Sequence, residues 1–223
     1  MSRIHASRLL AWLFILILSG CGGANVVVES DFPEPLVEPL PLHMGIYYSK
    51  EFREFSHEEK ADKKSPEHRI TTGPTQVKLF NRLFKKFFVR TTELASLPTA
   101  DKPLQLNAVL APEVEELQFT VPRDTKREVF EVWVKYKVKL YSPSGALILD
   151  WSIPAYGKTP TAFMKSRDKA LEQAAIVALR DAGAYFTISF SRLPKLQNWL
   201  DTQIVKPEQT TSDEAMAVGI RVQ

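Results

Sequence analysis

The chain has 223 residues, with 29 Lys and Arg against 26 Asp and Glu, four His and a single Cys. That length is enough for one domain with a real core, and no fixed-period repeat divides it. The near-balance of charge, with no clustered basic stripe, gives no footprint for nucleic acid, and one cysteine excludes a disulfide framework.

The first 21 residues fall into three parts. Arg3, His5 and Arg8 form a positive segment without an acid, Leu9 to Leu18 is an unbroken apolar run, and Ser19 and Gly20 are small residues before Cys21. An apolar run of this length is half the ~20 residues needed to span a bilayer, and the layout is that of a secretory signal peptide. Leu18-Ser19-Gly20-Cys21 resembles the bacterial lipobox. The resemblance implies cleavage after residue 20, acylation of Cys21, and a membrane partner held by two or three acyl chains, which anchor stably where one does not. It also implies the outer membrane, with the domain facing the periplasm, because Gly22 and not Asp follows the cysteine. Cleavage removes Arg3 and Arg8, taking the 29 bases to 27 against 26 acids, a net of +1.

Residues 21–41 form the anchor and a proline-rich linker. Pro33, Pro35, Pro39 and Pro41 stand among Glu29, Asp31, Glu34 and Glu38. Proline at this density favours an extended polyproline II chain, which over ~20 residues reaches up to about 60 Å. Such a chain either holds the domain off the membrane or packs along it as an arm, and Val26, Val27 and Val28 hint at docking. Residues 42–203 are expected to be the folded domain and the polar 204–223 a disordered tail.

Within the domain, Met44, Ile46 and Tyr48 alternate with polar or small neighbours over 42–49, the pattern of a first strand. Residues 50–67 are dense in charge and read as a loop. His57, Glu58, Glu59 and His68 lie near one another there, but their spacing matches no ligand motif, so no metal and no cofactor are expected. A short strand over 68–73 leads to Pro74, placed for a first helical turn. Val77, Phe80, Phe84 and Phe87 then recur at helical spacing, widened by Leu79, Leu83 and Phe88, with Lys78, Arg82, Lys85 and Lys86 opposite. This stripe suits a core helix better than a membrane-surface helix. A strand follows over 89–94, and another over 104–122, bent or broken at Pro112.

The clearest element is 127–157. Phe130, Val132, Val134, Tyr136, Val138 and Leu140 face one way, and Glu131, Trp133, Lys135, Lys137, Lys139 and Tyr141 the other. Ser142-Pro143-Ser144-Gly145 predicts a hairpin loop. Folding about it sets Leu140 against Leu147, Val138 against Leu149 and Tyr136 against Trp151, with Lys137 opposite Asp150 outside. The second large helix begins between Thr161 and Ser166 and runs to about Phe190. Its stripe of Leu171, Ala174, Ala175, Ala178, Leu179 and Ala182 is small enough for close approach to a sheet. A last helical piece over 193–200 carries Trp199.

The expected fold is α+β: an antiparallel or mixed sheet with two main helices packed on one face. Behind a lipobox, this order of elements is similar to the small α+β lipoproteins that assist envelope machines, such as the partner of the lipopolysaccharide-assembly barrel and the auxiliary lipoproteins of ABC-type lipid transporters. The resemblance implies a non-enzymatic accessory with an envelope protein partner, and transfers only the role of Cys21. Trp133, Lys135, Lys137, Tyr141 and Ile148 form the candidate partner-binding face, aromatic anchors ringed by long cations. The alternative is a lipid or glycolipid binding module. An enzyme is the weakest reading, since no nucleophile elbow, zincin motif or glycine-rich phosphate loop is present.

Overall fold

The computed structural model describes residues 25–59, 68–122, 127–161 and 166–204. Cys21, residues 60–67 of the charged stretch and the tail from 205 lie outside them. The elements are β1 (Asn25–Val27), β2 (Leu40–Tyr47), α1 (Lys50–Arg53), β3 (Ser56–Glu59), β4 (His68–Thr71), α2 (Gly73–Phe87), β5 (Phe88–Leu94), β6 (Ala108–Thr120), β7 (Val129–Tyr141), β8 (Leu147–Pro160), α3 (Arg167–Ser189), a 3-10 turn (Phe190–Arg192) and α4 (Pro194–Gln203). They build a five-stranded sheet ordered β5-β2-β6-β7-β8 and a three-stranded sheet ordered β1-β4-β3. The large sheet is mixed. β2 runs parallel to both β5 and β6, whereas β6, β7 and β8 are antiparallel.

One face of the large sheet is buried under α2 and α3. All six inward residues of β7, from Phe130 to Leu140, are buried. The aromatic stripe of α2 meets them: Phe80 packs edge-on to Tyr136 with centroids 5.2 Å apart, and Phe84 edge-on to Phe186 of α3 at 5.5 Å. Phe87, Phe186, Phe190 and Trp151 continue the ring cluster toward the far ends of both helices. Edge-to-face pairs of this kind are worth about 0.5–1.5 kcal/mol each beyond the area they bury. A polar thread runs through the core. Gln76, fully buried, accepts from Tyr136 Oη at 3.1 Å and Thr72 Oγ1 at 3.2 Å, and donates Nε2 to the Phe52 carbonyl at 2.7 Å.

Of the two readings of the proline-rich stretch, the packed arm is the one observed: Asn25–Val27 pairs in parallel with β4, and Val26, Val28 and Phe32 are buried in the core. Beyond them the chain runs along α2, where Glu34 meets Lys86 at 3.1 Å. The charged 50–67 segment is ordered at its start, where Ser49 Oγ caps α1 by accepting from the Phe52 amide at 3.2 Å and β3 pairs with β4. Pro112 does not break β6, because β2 pairs with β6 only over Ala108–Leu110 and leaves Pro112 without a neighbour on that side. Proline is tolerated where no ladder bond is asked of it.

The hairpin register also differs from the expected one. Val138 faces Trp151, Tyr136 faces Ile153 and Lys139, not Lys137, faces Asp150. The turn explains this. Ser142 and Ala146 close it with a 2.8 Å backbone bond, Gly145 sits at φ +88°, and Ile148 is the extra residue between the pairs Tyr141–Leu147 and Leu140–Leu149. The result is a slip of two residues, which keeps the side chains from Leu149 onward on their expected faces, whereas Leu147, expected inward against Leu140, pairs with Tyr141 and is exposed.

Candidate interaction surface

The outer face of the large sheet carries the residues singled out from sequence, and it divides into an open and a covered part. At the covered end Tyr141 is half-buried and pairs with Val109, itself fully buried. Leu94 and Leu106, at the two ends of the β5–β6 connection, lie here beside Gly45 and Val109. That connection also packs on the hairpin turn, where the Leu104 amide donates to the Pro143 carbonyl at 3.1 Å. Ile148 is the bulged residue beside Leu147, the cross-strand partner of Tyr141, and both Leu147 and Ile148 are exposed.

Along the middle of the face, the lysines are tied down. A bulge in β6 between Val114 and Glu116 accommodates Glu115, whose carboxylate meets Lys135 at 3.2 Å and Lys137 at 3.3 Å. Hydrogen bonding from Lys135, then from Lys137, holds the Glu115 carboxyl below the usual range. Lys139 donates to Glu113 at 2.7 Å, which raises its pKa. This row is an alternating lattice of charge rather than a set of free cations.

The open part is built around Trp133. Its ring lies 5.3 Å from that of Tyr156 on β8, its cross-strand partner, and the residue keeps 38% of its surface exposed. The Tyr156 hydroxyl donates to Glu131 Oε1 at 2.6 Å, and Thr120 Oγ1 donates to Glu131 Oε2 at 3.3 Å. Glu131 is buried by these contacts, and its hydrogen bond with Tyr156 is the largest of the effects pushing the phenol up to about 12. Glu116, Gln118, Thr120, Trp133, Lys135 and Pro154 enclose a hollow of about 420 Å³ beside this pair. Tyr156, Glu131, Gln118 and Thr120 were not singled out from sequence. The two-residue slip had set Trp133 opposite Pro154, which hid its pairing with Tyr156.

A second hollow of about 320 Å³ lies where the N-terminal arm crosses α2 and α3, lined by Phe32, Pro33, Leu79, Leu83, Gly183 and Ile188 among others. It is apolar, with Arg180 and Glu34 at its border. The histidines considered for a metal serve other contacts. The rings of His57 and His68 stand edge-on to Phe119 at 6.0 and 6.5 Å, Glu59 accepts from the Phe119 amide at 3.2 Å, and Glu58 pairs with Arg69. Among the described residues no three His, Cys, Asp or Glu side chains are grouped to hold a metal ion.

No family model matches the chain, and no curated protein matches it. Among solved structures, it is similar to a Xanthomonas campestris protein of family model DUF330, with 11% identity and a TM-score of 0.48 over 81% of this chain and 99% of that one. It is also similar to a Helicobacter pylori protein assigned as a homologue of neuraminyllactose-binding hemagglutinin (12%, TM-score 0.41, 79% and 98%). A third is a Caulobacter crescentus protein assigned as a lipoprotein (17%, TM-score 0.33, 45% and 70%). At these values none of them assigns the chain a family or a role. No described helix is long and apolar enough to cross a membrane.

Proposed function

We propose that the chain is a lipid-anchored lipoprotein of the bacterial envelope that serves as a non-enzymatic accessory of an outer-membrane assembly, transport or export machine. It docks a protein partner on the open part of its outer sheet face. The lipobox ending at Cys21 supports the anchor, and Trp133 supports the docking. Lys135, Lys137 and Lys139 of this face are ion-paired with Glu115 and Glu113, and beside them Trp133 keeps 38% of its surface exposed. An aromatic ring over a hollow, with an ion-paired polar margin, is the composition of an interface centre and its rim.

The test is recovery of partners with the full-length lipoprotein in gentle detergent, read by mass spectrometry, for the wild type and for Trp133→Ala. Loss of a hot-spot aromatic costs about 2 kcal/mol or more, a roughly 30-fold weakening, so a stoichiometric partner drops to trace. Unchanged recovery removes this face as the docking site.

One observation favours a second reading. The apolar hollow under the arm is at the small end of the ~300–1,000 Å³ range of ligand pockets, and would take part of an acyl chain. Lipid co-purifying with the wild type but not with Gly183→Leu, in native mass spectrometry, would move the function to lipid binding.

A further inference from the structure

The described fold starts close to the anchor. β1 begins at Asn25, so only Gly22, Gly23 and Ala24 separate it from Cys21. Asn25 pairs with Arg69, Val26 with Ile70 and Val27 with Thr71, and Val26 is buried to 3% exposure. Val28 is buried to 1%, its amide donates to the Thr71 carbonyl at 3.0 Å and its own carbonyl accepts from Thr75 Oγ1. The start of β1 therefore cannot peel away without opening the core. Four residue steps at ~3.3–3.6 Å give the chain a reach of about 14 Å between the acylated residue and Asn25.

This pole of the molecule can be traced from contact to contact. Next to Arg69, His68 stands against Phe119, and Phe119 and Thr120 of β6 face Val132 and Glu131 near the start of β7. From the other side, Glu29 lies near enough to Lys169 of α3 to act on its charge. The opposite end of β7 is 12 residues on, about 40 Å at ~3.3 Å per residue, and carries the hairpin turn with exposed Leu147 and Ile148.

We infer that this pole rests on the lipid surface and that the β7–β8 hairpin stands up from it, its turn away from the membrane. The inference depends on the lipid anchor proposed above and adds an orientation. Trp133, four residues past the start of β7, then lies ~13 Å up the strand from that pole, and the partner it meets is one embedded in or lying on the same membrane.

Cys21 is the sole cysteine and its sulfur is taken by lipid, so an introduced thiol is unique. Glu128→Cys places a fluorophore at the pole and Ser144→Cys at the turn, both at exposed positions. Each full-length lipoprotein is reconstituted into phosphatidylcholine–phosphatidylglycerol vesicles containing a headgroup-labelled acceptor lipid. Energy transfer is expected to be several-fold stronger from position 128 than from 144. Inserting 12 Gly and Ser residues after Gly23, with an r.m.s. span of ~20 Å, should bring the two values together. Equal or inverted transfer in an acylated chain overturns the orientation alone. A Cys21 peptide without acyl mass overturns the anchor and the orientation together.

Discussion

Gly157 of β8 lies directly against the main chain of Ala174 in α3: a β-carbon on the glycine would overlap the Ala174 carbonyl oxygen and the Ala178 amide. Side chain is missing on both sides of this contact, because the helix presents Ala174, Ala175, Ala178 and Ala182 toward the sheet, all buried. Backbone-to-backbone approach is what lets α3 sit low enough for Phe186 and Phe190 to reach Trp151 at the other end of β8.

Gly157→Ala should therefore be severely destabilising. The atoms it meets belong to a helix backbone that cannot yield locally, so the cost is at or above the ~1–3 kcal/mol typical of overpacking. Gly183→Ala makes the contrast. Its added methyl meets only side chains, Leu79 at 3.1 Å and Leu83 at 3.9 Å, and a glycine inside a helix already costs about 1 kcal/mol relative to alanine. Urea unfolding should show a large loss for the first variant and a neutral or slightly stabilising change for the second. Equal effects would mean that α3 does not ride on Gly157.

The buried Gln76 ties Tyr136, Thr72 and the Phe52 carbonyl together, and losing different members of this group costs unequal amounts. Tyr136→Phe leaves the Gln76 amide with Thr72 and the Phe52 carbonyl, and should cost about 1 kcal/mol. Gln76→Leu strands the Tyr136 hydroxyl, the Thr72 hydroxyl and the Phe52 carbonyl, each worth about 1–3 kcal/mol when buried unpaired. The double variant should be less destabilised than the sum of the singles, as a double-mutant cycle would show.

Periodicity made most of the sheet and both large helices legible. The inward row of β7 and the aromatic stripe of α2 are signals of period 2 and 3.6, and neither depends on what they pack against. The small-residue stripe of α3 foretold close approach but not the place, since Gly157 looks like any strand glycine. Hairpin register was not legible, because a slip of two preserves both faces and only the bulge at Ile148 and the left-handed Gly145 decide between them. The candidate site inherited that error: Trp133 was found from alternation, while Tyr156 required the register. Polyproline composition determines the conformation of the arm and is silent on whether three valines and Phe32 find a surface.

The arm's docking has its own test. Phe32 is buried under it and Leu36 is fully exposed, four residues away on the same stretch. Phe32→Ala should cost about 3–5 kcal/mol, the usual range for a buried phenylalanine, while Leu36→Ala should stay within ~0.5 kcal/mol. A free tether would make both substitutions silent in thermal or urea unfolding.

The Tyr156–Glu131 pair should appear in alkaline titration. In the unfolded chain the Tyr156 phenol ionises near ~10, whereas in the fold its hydrogen bond to Glu131, partial burial and the Glu131 charge push it up to about 12. A raised phenol pKa means that the folded state keeps a proton the unfolded state has released. The stabilisation from this group is thus complete below pH ~10 and is lost as pH rises toward 12. Burial raises Tyr48 and Tyr136 as well, so three of the six tyrosines should resist ionisation while the fold lasts. Tyr156→Phe should remove one late-titrating phenol from the phenolate absorbance and flatten the loss of stability over pH 10 to 12. A Tyr156 that titrates with the exposed tyrosines would mean that its bond to Glu131 is not held in solution, and that Trp133 stands on a loose support.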